Sequence, residues 1–195
     1  MIDVNAVVKV IAENTSNRFV VGVDGLSRSG KTTLVKKLEG DLKKEGIPFH
    51  IFHIDDYIVE RNKRYNTAHE EWYEYYKLQW DVEWLQQNFF NKLRLENQFS
   101  LPFYDHKTDS CNMREIILPR FCIIVIEGVF LQRKEWREFF DYMVYLDCPR
   151  EQRFLRESEE TQKNISKFEN RYWKAEDFYL KMECPKQRAD LVMRG

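Results

Sequence analysis

Apolar residues follow two rhythms along the chain. Val4, Val7, Val8, Val10 and Ile11 recur at helical spacing and predict a short amphipathic helix. Unbroken apolar runs appear instead at "RFVVGVD" (Arg18 to Asp24), at "IPFHIFHID" from Ile47, at "FCIIVIEG" (Phe121 to Gly128), at "DYMVYLD" (Asp141 to Asp147) and, more briefly, at "ADLVM" near the end. Such runs predict strands buried on both faces. Between the first two lies a helical stretch from Lys31 to about Glu45, ending at Gly46, where glycine suits a left-handed cap. Polar helical sequence is expected after the third and fourth runs. Residues 57–104 are aromatic and irregular, and "EEWYEYYKLQWDVEWLQQNFFNKL" predicts a helix from Asp81, whose carboxylate suits an N-cap. Strands alternating with helices imply an α/β fold with a parallel sheet and helices on both faces. There is no internal repeat, low-complexity segment or linker, so one domain is expected over residues 1–195.

Composition narrows the partners. With 43% hydrophobic and 32% charged residues the chain has enough core formers to fold. Its 31 basic and 32 acidic side chains give a net charge of -1, no broad positive field for a phosphate backbone, so nucleic acid is not expected. Cys111, Cys122, Cys148 and Cys184 lie far apart with no metal-ligand spacing, as reduced thiols in a cytoplasmic protein would. The early acids of the N-terminus do not fit a signal peptide, and no run approaches a membrane span. Self-association into a homo-oligomer is left open.

The first strand is followed by "GLSRSGKTT", the full G-x-x-x-x-G-K-[ST] phosphate-loop pattern between a strand and a helix. Glycines let the backbone amides turn inward, the helix N-terminus adds partial positive charge, and Lys31 reaches the outer phosphates. Gly25, Ser27, Ser29, Gly30, Lys31, Thr32 and Thr33 form the expected nucleotide-binding set, with the Thr32 hydroxyl available to magnesium. No Asp-x-x-Gly or Asn-Lys-x-Asp motif marks a GTPase, since "NKRY" and "NKLR" lack the acid.

In an open parallel sheet, ligands gather beyond the carboxyl ends of the strands. Asp55 and Glu127 end the second and third apolar runs; the alternative for each is a helix or turn cap, which a phosphate loop in the same sheet makes the weaker reading. Phosphorylating an alcohol needs a carboxylate beside the attacking hydroxyl, and magnesium needs oxygen ligands. After the fourth strand, Arg150, Arg153 and Arg156 recur every third residue in a helical lid at 149–165, able to close over a transferring phosphoryl group. The aromatic insertion at 57–104 would cover an organic acceptor.

These residues resemble the uridine kinase and phosphoribulokinase group of P-loop kinases, from "VVGVDGLSRSGKTT" to "KQRADLVM". The resemblance implies a P-loop NTPase-type sheet with a helical lid. It also implies ATP and Mg2+ as cofactors, and transfer of the γ-phosphoryl group to a small-molecule acceptor, a nucleoside such as uridine or cytidine. "DDY" matches the motif whose first acid is the base and a magnesium neighbour, which implies Asp55, with Asp56 in a supporting role. "LQWDVEWL" implies Asp81 on ribose hydroxyls, "LPFYD" implies Tyr104 at the nucleoside site, "VIEGVF" implies Glu127 near magnesium, and Arg153 and Arg156 match the lid arginines. Two departures stand out. "YDHKTDSCN" carries His106 at the family's aromatic position and Asp109 at its histidine, and the lid lacks an Arg-Gly-Arg, offering Lys163 and Lys167 in another frame. Alternatives are a kinase for another alcohol (vitamin, riboside or sugar phosphate) or a nucleotide-binding regulatory module without transfer. His50 and His53, on or beside a strand, read as core or rim residues.

Overall fold

A computed structural model describes residues 5–13 and 18–195. Val4, placed by its spacing in the first helix, lies outside them. Helix α1 (Asn5–Ala12) precedes strand β1 (Arg18–Gly25), helix α2 (Lys31–Lys44) and strand β2 (Phe49–His53). A 3-10 turn (Ile54–Tyr57) leads into short helices α3 (Arg61–Arg64), α4 (Glu71–Lys77) and α5 (Val82–Asn88). Strands β3 (Gln98–Asp105), β4 (Ser110–Ile117), β5 (Cys122–Gly128) and β6 (Tyr142–Asp147) follow. The lid region holds α6 (Arg150–Leu155), α7 (Glu159–Gln162), α8 (Ile165–Lys167) and a π-turn (Phe168–Trp173). Helices α9 (Lys174–Glu183) and α10 (Pro185–Arg188) and strand β7 (Leu191–Arg194) complete the order.

The main sheet runs β2-β5-β1-β6-β7, every neighbouring pair parallel. All five strands read from the sequence are in it. Their side chains alternate between two cores, as the two-residue period of a strand requires. Phe19, Val21 and Val23 of β1 and Ile123 and Val125 of β5 face α1 and α2. Helix α2 buries Leu34, Val35, Leu38 and Leu42 there, one stripe at helical spacing, each worth about 1.5–3 kcal/mol.

The other face carries Val20, Phe52, Ile124 and Ile126 against the aromatic insertion. Tyr76, Trp80, Phe89 and Phe90 are buried in it, and Phe90 stacks on Trp136 with ring centroids 5.1 Å apart. The run "WYEYYKLQW" is therefore largely core. One of its members positions the site: Trp80 donates Nε1–H to Ile54 O at 2.9 Å, fixing the turn that carries Asp55.

Two segments differ from their expected form. No α-helix follows β5 directly. The chain turns at Phe130 in left-handed backbone (φ 62°) and reaches only a 3-10 turn at Arg137–Phe139. The reason is tertiary. Gln132 donates Nε2–H to the buried Asp24 at 3.0 Å, and Arg133 lies over the rings of Tyr76 and Trp136, contacts a helix exit there could not make. Strand β4, absent from the sequence reading, pairs antiparallel with β3 in a separate two-stranded sheet. All four cysteines are unpaired, and among the described residues no helix is long and apolar enough to cross a membrane.

Candidate active site

Strand β1 delivers the chain to the phosphate loop, and α2 opens immediately after it with Gly30 as N-cap, at φ 100°. That dihedral is costly for any residue with a Cβ, which is why glycine stands before the lysine. A Cβ at Gly25 would lie 2.6 Å from Ser29 Oγ, so the loop closes tightly on itself. Ser29 is fully buried and its hydroxyl has no protein partner. Lys31 folds back to donate to Leu26 O at 3.1 Å. Burial lowers its ammonium pKa, opposed by the nearby charges of Glu127, Asp55 and Asp24.

The acids arrive from neighbouring strands. Glu127 is level with His53 across the β2–β5 pair, so both side chains project to the same side, and His53 Nδ1 lies 2.7 Å from Glu127 Oε1. That hydrogen bond, more than any other effect, raises the His53 pKa. Thr32 Oγ1 lies 3.3 Å from the same carboxylate oxygen, joining the phosphate loop to the end of β5. Gly128 comes next, where a Cβ would meet Ile54 Cγ2 at 2.1 Å. Only glycine allows the Ile54–Tyr57 turn to press against β5 and bring Asp55 beside Glu127. Asp55 is exposed where it opens onto the cavity. Desolvation raises its pKa, Lys31 opposes this, and Glu127 and Asp56 add to it.

These groups border one cavity of about 1090 Å³, room for polyphosphate and a second small molecule together. Ser27, Lys31, Thr32, Asp55, Glu127 and Arg153 line it. A second cavity of about 450 Å³ follows the outer face of the loop along Gly30, Thr33 and Arg156.

The lid arginines do not act as one free stripe. Arg153 is buried in a two-pronged pair with Glu176 of α9, at 2.7 and 2.8 Å, and donates to Ser27 O at 3.1 Å. Arg156 donates to Arg28 O at 2.9 Å, and Arg150 turns away to Asp177. Arg28 is paired in turn with Glu157 at 2.8 Å. The lid helix is thus latched to the backbone of the phosphate loop.

Two predicted site residues are not brought to this cavity. Asp81 caps α5, accepting from Trp84 N–H at 3.0 Å, and borders a separate hollow beside Lys63 and Lys77. Tyr104 lies behind the wall, donating to Asp109 at 2.8 Å and accepting from Arg64 at 3.2 Å. Asp56 is not among the lining residues, whereas Asp55 is. Arg61, Arg64 and Gln79, which sequence reasoning passed over, also line the cavity, as does Lys167, noted there only as a lid lysine in another frame. His53 reads from the sequence as a core or rim residue, and its pairing with Glu127 becomes legible only through strand register.

The oxygen donors at the loop, one hydroxyl and two carboxylates, suit a hard cation. No cluster of three or more His, Cys, Asp or Glu side chains able to hold a metal by itself occurs among the described residues. A magnesium ion carried by nucleotide phosphates needs no such cage.

Comparison with known proteins agrees with this arrangement. A solved structure described as a possible uridine kinase from Bacillus stearothermophilus superposes with a TM-score of 0.87 at 53% identity, covering 97% of this chain and 96% of that one. A uridine kinase of Borrelia garinii subsp. bavariensis is 25% identical, covering 89% of this chain and 85% of its own length. One of Macrococcus caseolyticus is 28% identical, with 72% and 68% covered. The model of the phosphoribulokinase / uridine kinase family matches residues 20–193, and the chain belongs to that family.

Proposed function

We propose that this chain is an ATP- and magnesium-dependent kinase that moves the γ-phosphoryl group to a hydroxyl of a small molecule. The names of its relatives point first to a nucleoside, uridine. The observation that supports the reading is the meeting of Lys31, Thr32, Glu127 and Asp55 at one cavity, because a phosphate cradle and a carboxylate open to the same space together are what alcohol phosphorylation requires.

Lys31 and the loop amides hold the β- and γ-phosphates. Thr32 and Glu127, with Asp55 as neighbour, would hold magnesium, which supplies charge neutralisation across the phosphates. Asp55 orients the acceptor hydroxyl and accepts its proton. As the acceptor O–P bond forms, the bond from the γ-phosphorus to the bridging oxygen breaks and its electron pair leaves with ADP. The raised pKa of Asp55 makes it a better proton acceptor than an ordinary aspartate. Arg153 and Arg156, bound to loop carbonyls, keep the cradle in shape and the lid over it.

An ADP-release screen across nucleosides, other ribosides, vitamins and sugar phosphates tests the reading. Acceptor-dependent release with at least one class is expected. ATP binding without any such release would overturn the kinase reading and leave a nucleotide-binding module.

A further inference from the structure

The acids at the cavity are all matched. Glu157 pairs with Arg28, Glu176 with Arg153 and Glu127 with His53, and Asp55 faces Lys31, which the nucleotide also uses. Three lining cations are left over: Arg61, Arg64 and Lys167. None has an ion-pair partner among the described residues.

Arg64 is the most telling of them. It is only 4% exposed, yet its protein partners are neutral: Nε donates to Val59 O at 2.7 Å and Nη2 to the Tyr104 hydroxyl at 3.2 Å. Nη1 has no hydrogen-bond partner among the described residues. Asp109 accepts from the Arg61 backbone N–H at 3.0 Å and from the Tyr104 hydroxyl at 2.8 Å, so it is bonded to Arg64 only through that hydroxyl. Asp109, besides accepting that backbone hydrogen bond, stands close enough to Arg61 and Arg64 for their charges to help lower its pKa, so one carboxylate is shared by two of the three cations and the wall keeps a surplus of positive charge, which a bound anion would offset. Lys167 is held nearby from the lid side. Tyr65 has Arg64 at 4.9 Å and Lys167 at 5.9 Å from its ring centre. Gln79 adds a buried Oε1 without a hydrogen-bond partner, an acceptor of hydrogen bonds in the wall of the same cavity.

We propose that the acceptor alcohol itself carries an anionic group, a phosphate monoester or a carboxylate, bound by Arg61, Arg64 and Lys167 while Gln79 takes a hydrogen bond from one of its hydroxyl or amine donors. This rests on the reading that the cavity takes an alcohol acceptor, and it narrows the acceptor's class. Guanidinium groups suit both anions, forming charge-assisted bonds to paired oxygens.

Matched acceptors differing in one group provide the test: uridine against uridine 3′-monophosphate, uridine against orotidine, and glycerol against glycerol 3-phosphate. By coupled ADP release, the anionic member of at least one pair is expected to show kcat/KM about tenfold higher or more, as for charge-assisted contacts. Arg61→Ala combined with Lys167→Ala should remove that advantage through the acceptor KM and leave the KM for ATP nearly unchanged. Equal use of neutral and anionic members, or a loss falling on the KM for ATP, would overturn the proposal. A second measurement works without turnover. Protein saturated with magnesium and a non-hydrolysable ATP analogue is titrated with inorganic phosphate by calorimetry. Saturable binding lost in the double variant is expected, and no binding, or an equal response from both proteins, would overturn the proposal. Phosphate binding without turnover of any acceptor would fail the kinase reading alone. Turnover of neutral acceptors only would fail the anionic subsite alone.

Discussion

The two ends of the large cavity are built by different means. At the phosphate end, contiguous residues do the work: Gly25 to Thr33 run from the end of β1 through the loop into the first turn of α2, and Glu127 and Asp55 reach them from the ends of adjacent parallel strands. At the other end, Arg61, Arg64, Gln79 and Lys167 come from α3, the segment after α4, and α8, and they meet only because an aromatic core folds those segments together. A backbone cradle needs a fixed spacing, because its amides must surround one shape of ligand. An acceptor wall needs only a shape and a charge, which many sequences can supply.

Breaking each end should therefore have different consequences. The largest expected effect on folding is at the latch. Glu176→Ala leaves Arg153 buried without its carboxylate, and a loss of about 3–5 kcal/mol is expected by chemical denaturation. If stability is unchanged, the latch does not hold the lid as described. Gly128→Ala comes next. Its Cβ would overlap Ile54, so the Asp55 turn must shift, at an expected cost of about 1–3 kcal/mol in thermal or denaturant unfolding, with a disproportionate fall in turnover. Turnover equal to that of the parent protein would show that the close approach does not set the position of Asp55.

Asp81→Ala is the mild case, and it sharpens the contrast. The carboxylate caps α5, so its loss should cost about 0.5–2 kcal/mol of stability and leave the acceptor KM alone. A large rise in acceptor KM would return Asp81 to the site.

The same contrast explains what could be read from the sequence. The five sheet strands were legible because each is a continuous apolar run between polar segments, and the phosphate loop because its chemistry is local. Asp55 was legible as the acid that ends a strand. The segment after β5 was not, since Gln132 and Arg133 are polar and suit an exposed helix, yet they are drawn inward by Asp24 and an aromatic cage. Strand β4 is mostly exposed and pairs only with β3, so it lacks the apolar run that marks a buried strand. Arg64 and Gln79 gave no signal, because what sets them apart is burial, of a guanidinium with no direct ion pair and of an amide oxygen with no hydrogen-bond partner, and burial is a property of the fold. Arg153 reads from the sequence as one of three arginines on a lid stripe for a related reason: its partner Glu176 is distant in sequence and is paired with it only by the return of α9.

The most direct measurement compares Asp55→Asn with Asp56→Asn in the acceptor-dependent ADP-release assay, with ATP affinity measured alongside. The two acids are adjacent in sequence, but only Asp55 lines the cavity. Asp55→Asn is expected to lower turnover by about 10²-fold or more, as loss of a general base does, with ATP binding retained, while Asp56→Asn stays within a few-fold of the parent protein. Parent-level turnover in Asp55→Asn, or an equal loss in both variants, would contradict the assignment of Asp55 as the base.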